Sequence, residues 1–235
     1  FGYNNIDNSD TCTMLFSNFI DDEREIDTQI RRLLSSSGFN EHYSNSLLNE
    51  SEINIFGGKN DSISLSNPLS QEMEFLRNSL FCGLAKAVKF NESRQEKLFK
   101  LFEIGATHLQ NQFTKTKTME SFNIGLIWYG EEFDNWNNND LIDFYYSKGN
   151  TVHFLNQLGI NNIKFKKNKN IEGFDVLYDI YYLKNKLGIL GIPDKNSKSN
   201  AALTDCHLLL SFKGCFEKQF EKEGYSWEGT CKGTS

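Results

Sequence analysis

Arginines are the residues in this chain best suited to holding phosphoryl charge. The guanidinium is a planar, permanently charged fork that meets two oxygens at once, which lysine does not match. Arginine occurs at positions 24, 31, 32, 77 and 94 and nowhere after Arg94. Arg94 precedes an apolar run, where solvation of a helix end accounts for it. Gly57-Gly58-Lys59 is followed by an expected strand rather than a helix, so it is not a phosphate-cradling loop. His42, His108, His153 and His207 are scattered, with no Ser or Cys pattern that specifies a triad. The cysteines, at 12, 82, 206, 215 and 231, are odd in number and form no Cys-x-x-Cys pair, which fits reduced thiols better than a disulfide framework. Cys206-His207 with Cys215 and Cys231 lacks the close ligand pairs of a closed zinc site. These residues nominate no catalytic, cofactor or metal site.

The elements that must position any site are legible in the apolar pattern. Ile26, Ile30, Leu33 and Leu34 share one helical face, opened by Asp22-Glu23-Arg24-Glu25 as a capping box and ended by Gly38. Phe39 and the alternation over 43–48 predict a strand directly afterwards. Alternation over 62–66 predicts another, stopped by Pro68. Leu80, Phe81, Leu84, Ala87 and Val88 make a second helical face, with Asn78 as its cap. Gly83 inside that helix costs about 1 kcal/mol relative to alanine, to be recovered by close packing. Continuous apolar runs over 98–105 and 122–129 read as central strands, and 135–140 as a turn around Trp136. Val152, Leu155 and Leu158 predict a helix ending at Gly159. Strands over 174–183 and 187–192 form a hairpin around Lys184-Asn185-Lys186. After about 197 the character shifts: Leu208-Leu209-Leu210 reads as one more strand, Phe212, Phe216 and Phe220 as a short helix, and 224–235 as a frayed end. Short connections between strands favour an α+β fold, a mainly antiparallel sheet with helices on one face. The expected divisions are a junction over 1–20, the main unit over 21–196 and a divergent segment over 197–235.

Composition narrows the class further. Aromatic residues make up 14% of the 235, with two prolines, enough apolar side chain to offset the entropy of ordering the chain. No apolar run approaches the roughly 18 to 20 residues that span a bilayer, and a soluble, cytoplasmic chain is expected. A start at Phe1 is expected of a piece cut from a longer polypeptide. The formal net charge of −6 disfavours global attraction to nucleic acid, so any RNA contact is local. The local candidate is the lysine cluster Lys164, Lys166, Lys167 and Lys169 around Phe165, which also reads as a solvated strand edge.

Several motifs stand in a fixed order: Asn67-Pro68-Leu69-Ser70, Leu76-Arg77-Asn78-Ser79-Leu80, Gly83-Leu84 and Leu101-Phe102-Glu103-Ile104-Gly105. The series resembles the central part of the bacterial phenylalanyl-tRNA synthetase beta subunit, with its Asn-Pro-Leu-Ser, Leu-Arg-x-Ser-Leu, Gly-Leu and Leu-Phe-Glu-Ile-Gly. Asp143-Phe144-Tyr145-Tyr146-Ser147-Lys148-Gly149 is similar to the family's Asp-Phe-Tyr-Asp-Leu-Lys-Gly, and Leu187-Gly188-Ile189-Leu190-Gly191 to its Ile-Gly-x-Leu-Gly hairpin. Phe1-Gly2-Tyr3-Asn4-Asn5-Ile6 is similar to a family junction in which proline stands where this chain has Asp7. The resemblance gives out at Ile192-Pro193-Asp194-Lys195.

The resemblance implies a class II aminoacyl-tRNA synthetase-like fold that has lost catalysis and works beside a catalytic alpha subunit. It implies ATP and Mg as cofactors of the parent enzyme and none for this chain, with the alpha subunit and tRNA as partners. In a true class II site an arginine of motif 2 holds the ATP α-phosphate, an arginine of motif 3 lies near the adenine and γ-phosphate, and a carboxylate at the place of Glu103 reads an amino group. With no arginine after Arg94 a motif 3 cannot exist, and Glu103 is expected to cap the sheet edge or make a structural hydrogen bond. Related modules meet through their leading helices, which makes Ile26, Ile30, Leu33 and Leu34 candidates for a subunit interface as well as for the core. The alternatives are a stand-alone ATP-dependent ligase and a protein-interaction domain on the same fold.

Overall fold

Apolar residues three and four apart between Ile26 and Leu34 form one helix, α1 (Glu23–Ser36), in the computed structural model, which describes residues 23–54, 61–96, 98–135, 138–168, 174–193 and 206–210. Gly38 stops it at φ +83°, donating to the Ser35 carbonyl at 3.1 Å while the Phe39 N–H donates to Leu34 at 3.1 Å, the paired bonds of a Schellman cap. That reversal buries Phe39 edge-on against Trp128, ring centroids 5.4 Å apart.

Two short strands follow, β1 (Asn40–Glu41) and β2 (Leu47–Leu48), then α2 (Glu50–Ile53). The single strand expected over 43–48 is therefore reduced to β2, and Tyr43 is 73% exposed. The strand expected over 62–66 is an isolated bridge from Ser64 to Phe75. Its partner, β3 (Phe75–Leu76), is two residues long and lies between this segment and β2, so the Leu65 N–H bond to Glu74 O at 2.8 Å and the Leu76 N–H bond to Ile63 O at 2.9 Å are not extended into a longer ladder. Helix α3 (Phe81–Glu92) begins after Leu80. Asn78 is not its cap: the amide donates to the Ile53 carbonyl at 3.0 Å, and the Ser79 hydroxyl oxygen accepts from the Phe81 N–H at 3.2 Å.

The long strands β4 (Leu98–Gln110) and β5 (Thr118–Asn135) pair antiparallel over their apolar runs. The polar segment expected as a turn over 135–140 is instead a return strand, β6 (Asn138–Leu141), paired with the far end of β5. Helix α4 (Phe144–Gln157) is capped by Asp143, whose Oδ1 accepts from the Tyr146 N–H at 2.6 Å, and it ends at Gly159 with φ +78°. Strands β7 (Ile163–Lys167), β8 (Phe174–Tyr182), β9 (Asn185–Pro193) and β10 (Cys206–Leu210) complete one eight-stranded sheet. Its order is β1-β4-β5-β10-β9-β8-β7, with β6 beside β5. Only β1 with β4 is parallel among the described pairings. The α+β fold and the β8–β9 hairpin are borne out, and the strand expected at 208–210 lies inside the sheet.

The sheet separates two cores. On one face α1 and α4 bury Ile30, Leu34 and Leu155 against Phe102, Leu126 and Trp128; on the other α3 buries Phe81, Leu84 and Val88 against Leu101 and Ile127. Helices therefore cover both faces, α1 and α4 one and α3 the other, rather than the single face expected. Among the described residues no helix is long and apolar enough to cross a membrane. The readings placed on Asp22, the 1–20 junction, Gly57-Gly58-Lys59, Trp136, Lys169 and the segment after 210 lie outside the described residues.

Candidate functional site

Alternation along β4 turns Phe102 and Ile104 toward α1 and leaves Leu101, Glu103 and Gly105 facing α3. Glu103 lies in the middle of the strand and is 1% exposed, so of the two roles expected it makes structural hydrogen bonds rather than capping the sheet edge. A carboxylate so buried must be paired, and its partner is Arg77, 6% exposed, from the turn between β3 and α3. Arg77 Nη1 lies 2.5 Å from Glu103 Oε1, and Nε donates to the Ala106 carbonyl at 2.7 Å. Ser44 closes the remaining side. Its hydroxyl lies 2.9 and 2.8 Å from the two carboxylate oxygens, its N–H donates to Oε1 at 3.3 Å, and its oxygen accepts from Arg77 Nη1 at 3.1 Å.

Two glycines make room for this cluster. A Cβ on Gly105 would sit 2.1 Å from Arg77 Nη2, and one on Gly83 would sit 2.1 Å from Ser44 Oγ. The expected close approach at Gly83 is thus the seating of α3 on Ser44. The Arg77 backbone is fixed as well, donating to Ser46 O at 2.9 Å and accepting from the His108 N–H at 2.8 Å. The cluster is a pin joining the segment before β2, the turn before α3 and the centre of β4. Both carboxylate oxygens of Glu103 are thus engaged by groups of the chain itself.

Beside the pin, a cleft of about 460 Å³ opens between residues 42–48 and the outer side of α3, lined among others by His42, Tyr43, Leu48, Lys86, Ala87 and Phe90. The volume suits a small ligand. No arginine lines it, and its lysine is engaged, with Lys86 Nζ 2.6 Å from Glu52 Oε1. Arg31 bonds Glu41 Oε1 at 2.8 Å, which raises its pKa above the usual guanidinium value. Arg94, on the turn after α3, lies 3.4 Å over the Phe90 ring and bonds the Phe90 carbonyl, the helix-end role expected of it. Burial pushes the Cys82 thiol up to about 12, aided by Glu52, so it is an inert core residue. Among the described residues no three His, Cys, Asp or Glu side chains group as metal ligands.

Of the residues singled out from sequence, Arg77, Glu103 and Gly105 are brought together. Asn67 and Pro68 lie in an exposed turn, Leu76 is half-buried in β3, and Asp143 caps α4. Lys148 holds its ammonium 4.8 Å over the Phe165 ring, and Gly149 has open space about it. Ile26, Ile30 and Leu34 are 5%, 2% and 1% exposed within the chain's own core, with Leu33 half-buried beside them. Lys164, Lys166 and Lys167 are exposed on the edge strand β7. Sequence reasoning missed Ser44, for which no local pattern gave a signal.

This architecture is that of a class II aminoacyl-tRNA synthetase. The chain resembles the crystal structure of pyrrolysyl-tRNA synthetase from Desulfitobacterium hafniense with a TM-score of 0.67 and 14% identity, covering 91% of this chain and 74% of that one. The family of the phenylalanyl tRNA synthetase beta chain CLM domain matches residues 17–207, and the chain belongs to it. The match takes in the start of β10, beyond the point at which the resemblance of motifs gives out. Among curated relatives, the phenylalanine–tRNA ligase beta subunit of Carboxydothermus hydrogenoformans is 32% identical over 176 residues, 72% of this chain and 22% of that protein. That of Buchnera aphidicola is 27% identical over 219 residues, 86% and 26%. The chain thus spans about a quarter or less of the length of these relatives.

Proposed function

We propose that this chain is a non-catalytic class II module within a cytoplasmic phenylalanyl-tRNA synthetase beta subunit. There it supports assembly with the alpha subunit and positions tRNA for phenylalanylation driven by ATP and Mg, which the parent enzyme uses. The observation that carries the reading is the closed pin: Glu103, which the resemblance sets where a class II site reads an amino group, is occupied by Arg77 and Ser44. An arginine-free cleft and the absence of arginine after Arg94 support it from the side of the nucleotide. The leading helix α1 serves the internal core and, through its outer residues, the alpha-subunit contact, while Lys164, Lys166 and Lys167 offer phosphate contacts.

A thermal melt of the chain with millimolar ATP and Mg separates this from a stand-alone ligase. A bound nucleotide at a hundred times its Kd adds about 2.7 kcal/mol to stability. The expected result is an unchanged Tm, together with capture of the alpha subunit by the beta subunit that carries this chain. A Tm that climbs with ATP concentration would establish the ligase instead.

A further inference from the structure

The β4–β5 hairpin continues past its neighbours. Among the described residues, β1 pairs with Leu101 and Phe102, and β10 pairs with β5 from Gly125 to Tyr129. Among the described residues, the ladder from Ile104 and Ile124 outward to Gln110 and Thr118 joins these two strands alone, an arm roughly 20 Å long at a strand's rise, its β4 edge met by the His108 N–H bond to Arg77 O at 2.8 Å. Its root is braced by the pin through the Arg77 bond to Ala106, and its outer part by Gln110, which donates to the Ser62 carbonyl at 2.8 Å.

The tip, residues 111–117, is held in one shape. The Asn111 N–H donates to Lys117 O at 2.9 Å, Asn111 Oδ1 accepts from the Phe113 N–H at 3.0 Å, and the Thr114 hydroxyl reaches Asn111 O and Thr118 O at 3.1 and 2.9 Å. On this ordered tip Phe113 is 98% exposed. Lys115 and Lys117 follow it, and residues 110–119 contain no carboxylate in a chain of net charge −6. The ring's sequence neighbours are Gln, Asn and Thr, so there is no broad apolar patch around it. A protein partner of standard size needs about 800 Å² on each side. An unpaired base needs one ring face, and its flanking phosphates need two cations.

We infer that the β4–β5 tip is an RNA contact, with Phe113 stacking on an unpaired base and Lys115 and Lys117 neutralising adjacent phosphates. The inference rests on the tRNA-positioning reading above and assigns it a surface distinct from the β7 lysines. The tip is ordered before binding, so little freedom is lost when a base stacks on it.

The test uses the full beta subunit carrying this chain, assembled with its alpha subunit, and a tRNA transcript followed by fluorescence anisotropy. Phe113→Ala weakens binding about 5- to 150-fold, the range for one stacked base, and Phe113→Trp restores it. The Lys115→Ala, Lys117→Ala double variant weakens binding and lowers the slope of log affinity against log salt by about 1.4, two single-strand phosphates. Tm stays at the wild-type value, because the ring is exposed. Wild-type affinity in both variants, with wild type itself binding tRNA, overturns the tip and leaves the broader reading standing. Loss of alpha-subunit assembly in Phe113→Ala, with unchanged tRNA affinity in the complexes that form, assigns the tip to a protein contact and also overturns it. A wild-type complex that binds no tRNA overturns both.

Discussion

Removing Glu103 tests whether the pin is structural. In Glu103→Ala the Arg77 guanidinium, 6% exposed, keeps its bonds to Ala106 O and Ser44 but loses its counter-charge, and Ser44 loses the acceptor for its hydroxyl and N–H. Breaking a buried pair from one side costs about 3–5 kcal/mol, a large part of the 5–15 kcal/mol that holds a domain folded. At about 2–4 °C per kcal/mol for a domain of this size, Tm falls by roughly 6–20 °C. Arg77→Leu should cost a similar amount by leaving the carboxylate uncompensated. The double variant Arg77→Leu, Glu103→Ala removes both charges and costs no more than either single, a coupling of at least about 3 kcal/mol, the upper end for residues in contact. Circular-dichroism melts of the four proteins read the cycle. A carboxylate kept for ligand chemistry would behave differently: its removal would leave Tm within about 2 °C or raise it, and the two single effects would add. Either result refutes the pin.

Gly83→Ala should destabilise the chain even though alanine is the better helix former. The new Cβ meets Ser44 Oγ at 2.1 Å and Ser44 Cβ at 2.4 Å, and Ser44 is held by Glu103. Overpacking of about 1–3 kcal/mol then outweighs a propensity gain of about 1 kcal/mol. A urea midpoint above wild type would show that Ser44 yields. At the β8–β9 hairpin, burial raises the Asp179 pKa, but hydrogen bonds from Lys186 at 2.6 Å and Asn168 at 2.9 Å more than offset it, leaving the value below the ordinary 3.8. A depressed folded value means that the stabilisation is complete above the unfolded pKa and fades as pH falls through the folded one. The Tm advantage of wild type over Asp179→Asn should therefore be constant above about pH 5 and shrink below about pH 4. An advantage that grows on acidification contradicts the assignment.

What the sequence made legible was local. Apolar spacing with a terminal glycine located α1 and α4, continuous apolar runs located β4 and β5, and turn residues located the β8–β9 hairpin. The short strands were not legible, because two-residue ladders such as β1 and β2 take their order from the sheet they join rather than from their own alternation. The pin was legible only as residues. Arg77, Glu103 and Gly105 stood out through motif resemblance, but their role depends on Ser44, 59 positions from Glu103 and 33 from Arg77. Asn78 shows the same limit on a smaller scale: a good capping residue was drawn to the Ile53 carbonyl, 25 positions away, leaving Ser79 to meet the first turn.

The stability argument alone does not explain why such a pin exists, since a well-packed apolar pair could hold the same space as firmly. Register does. Side chains on β4 alternate between the α1 core and the α3 core, so a slip of one residue would drive Glu103 into the cluster of Phe102, Ile104 and Trp128 and present Phe102 to Arg77. An apolar residue at 103 would tolerate either face, whereas a carboxylate bonded to Arg77 and Ser44 tolerates one. Gly83 and Gly105 sharpen the choice, because each admits its neighbour only in the observed pairing. The ion pair therefore fixes where β4 lies against α3, and with it the direction in which the β4–β5 arm leaves the sheet. If the module is non-catalytic, as proposed, that direction still matters, because the arm carries the Phe113 tip.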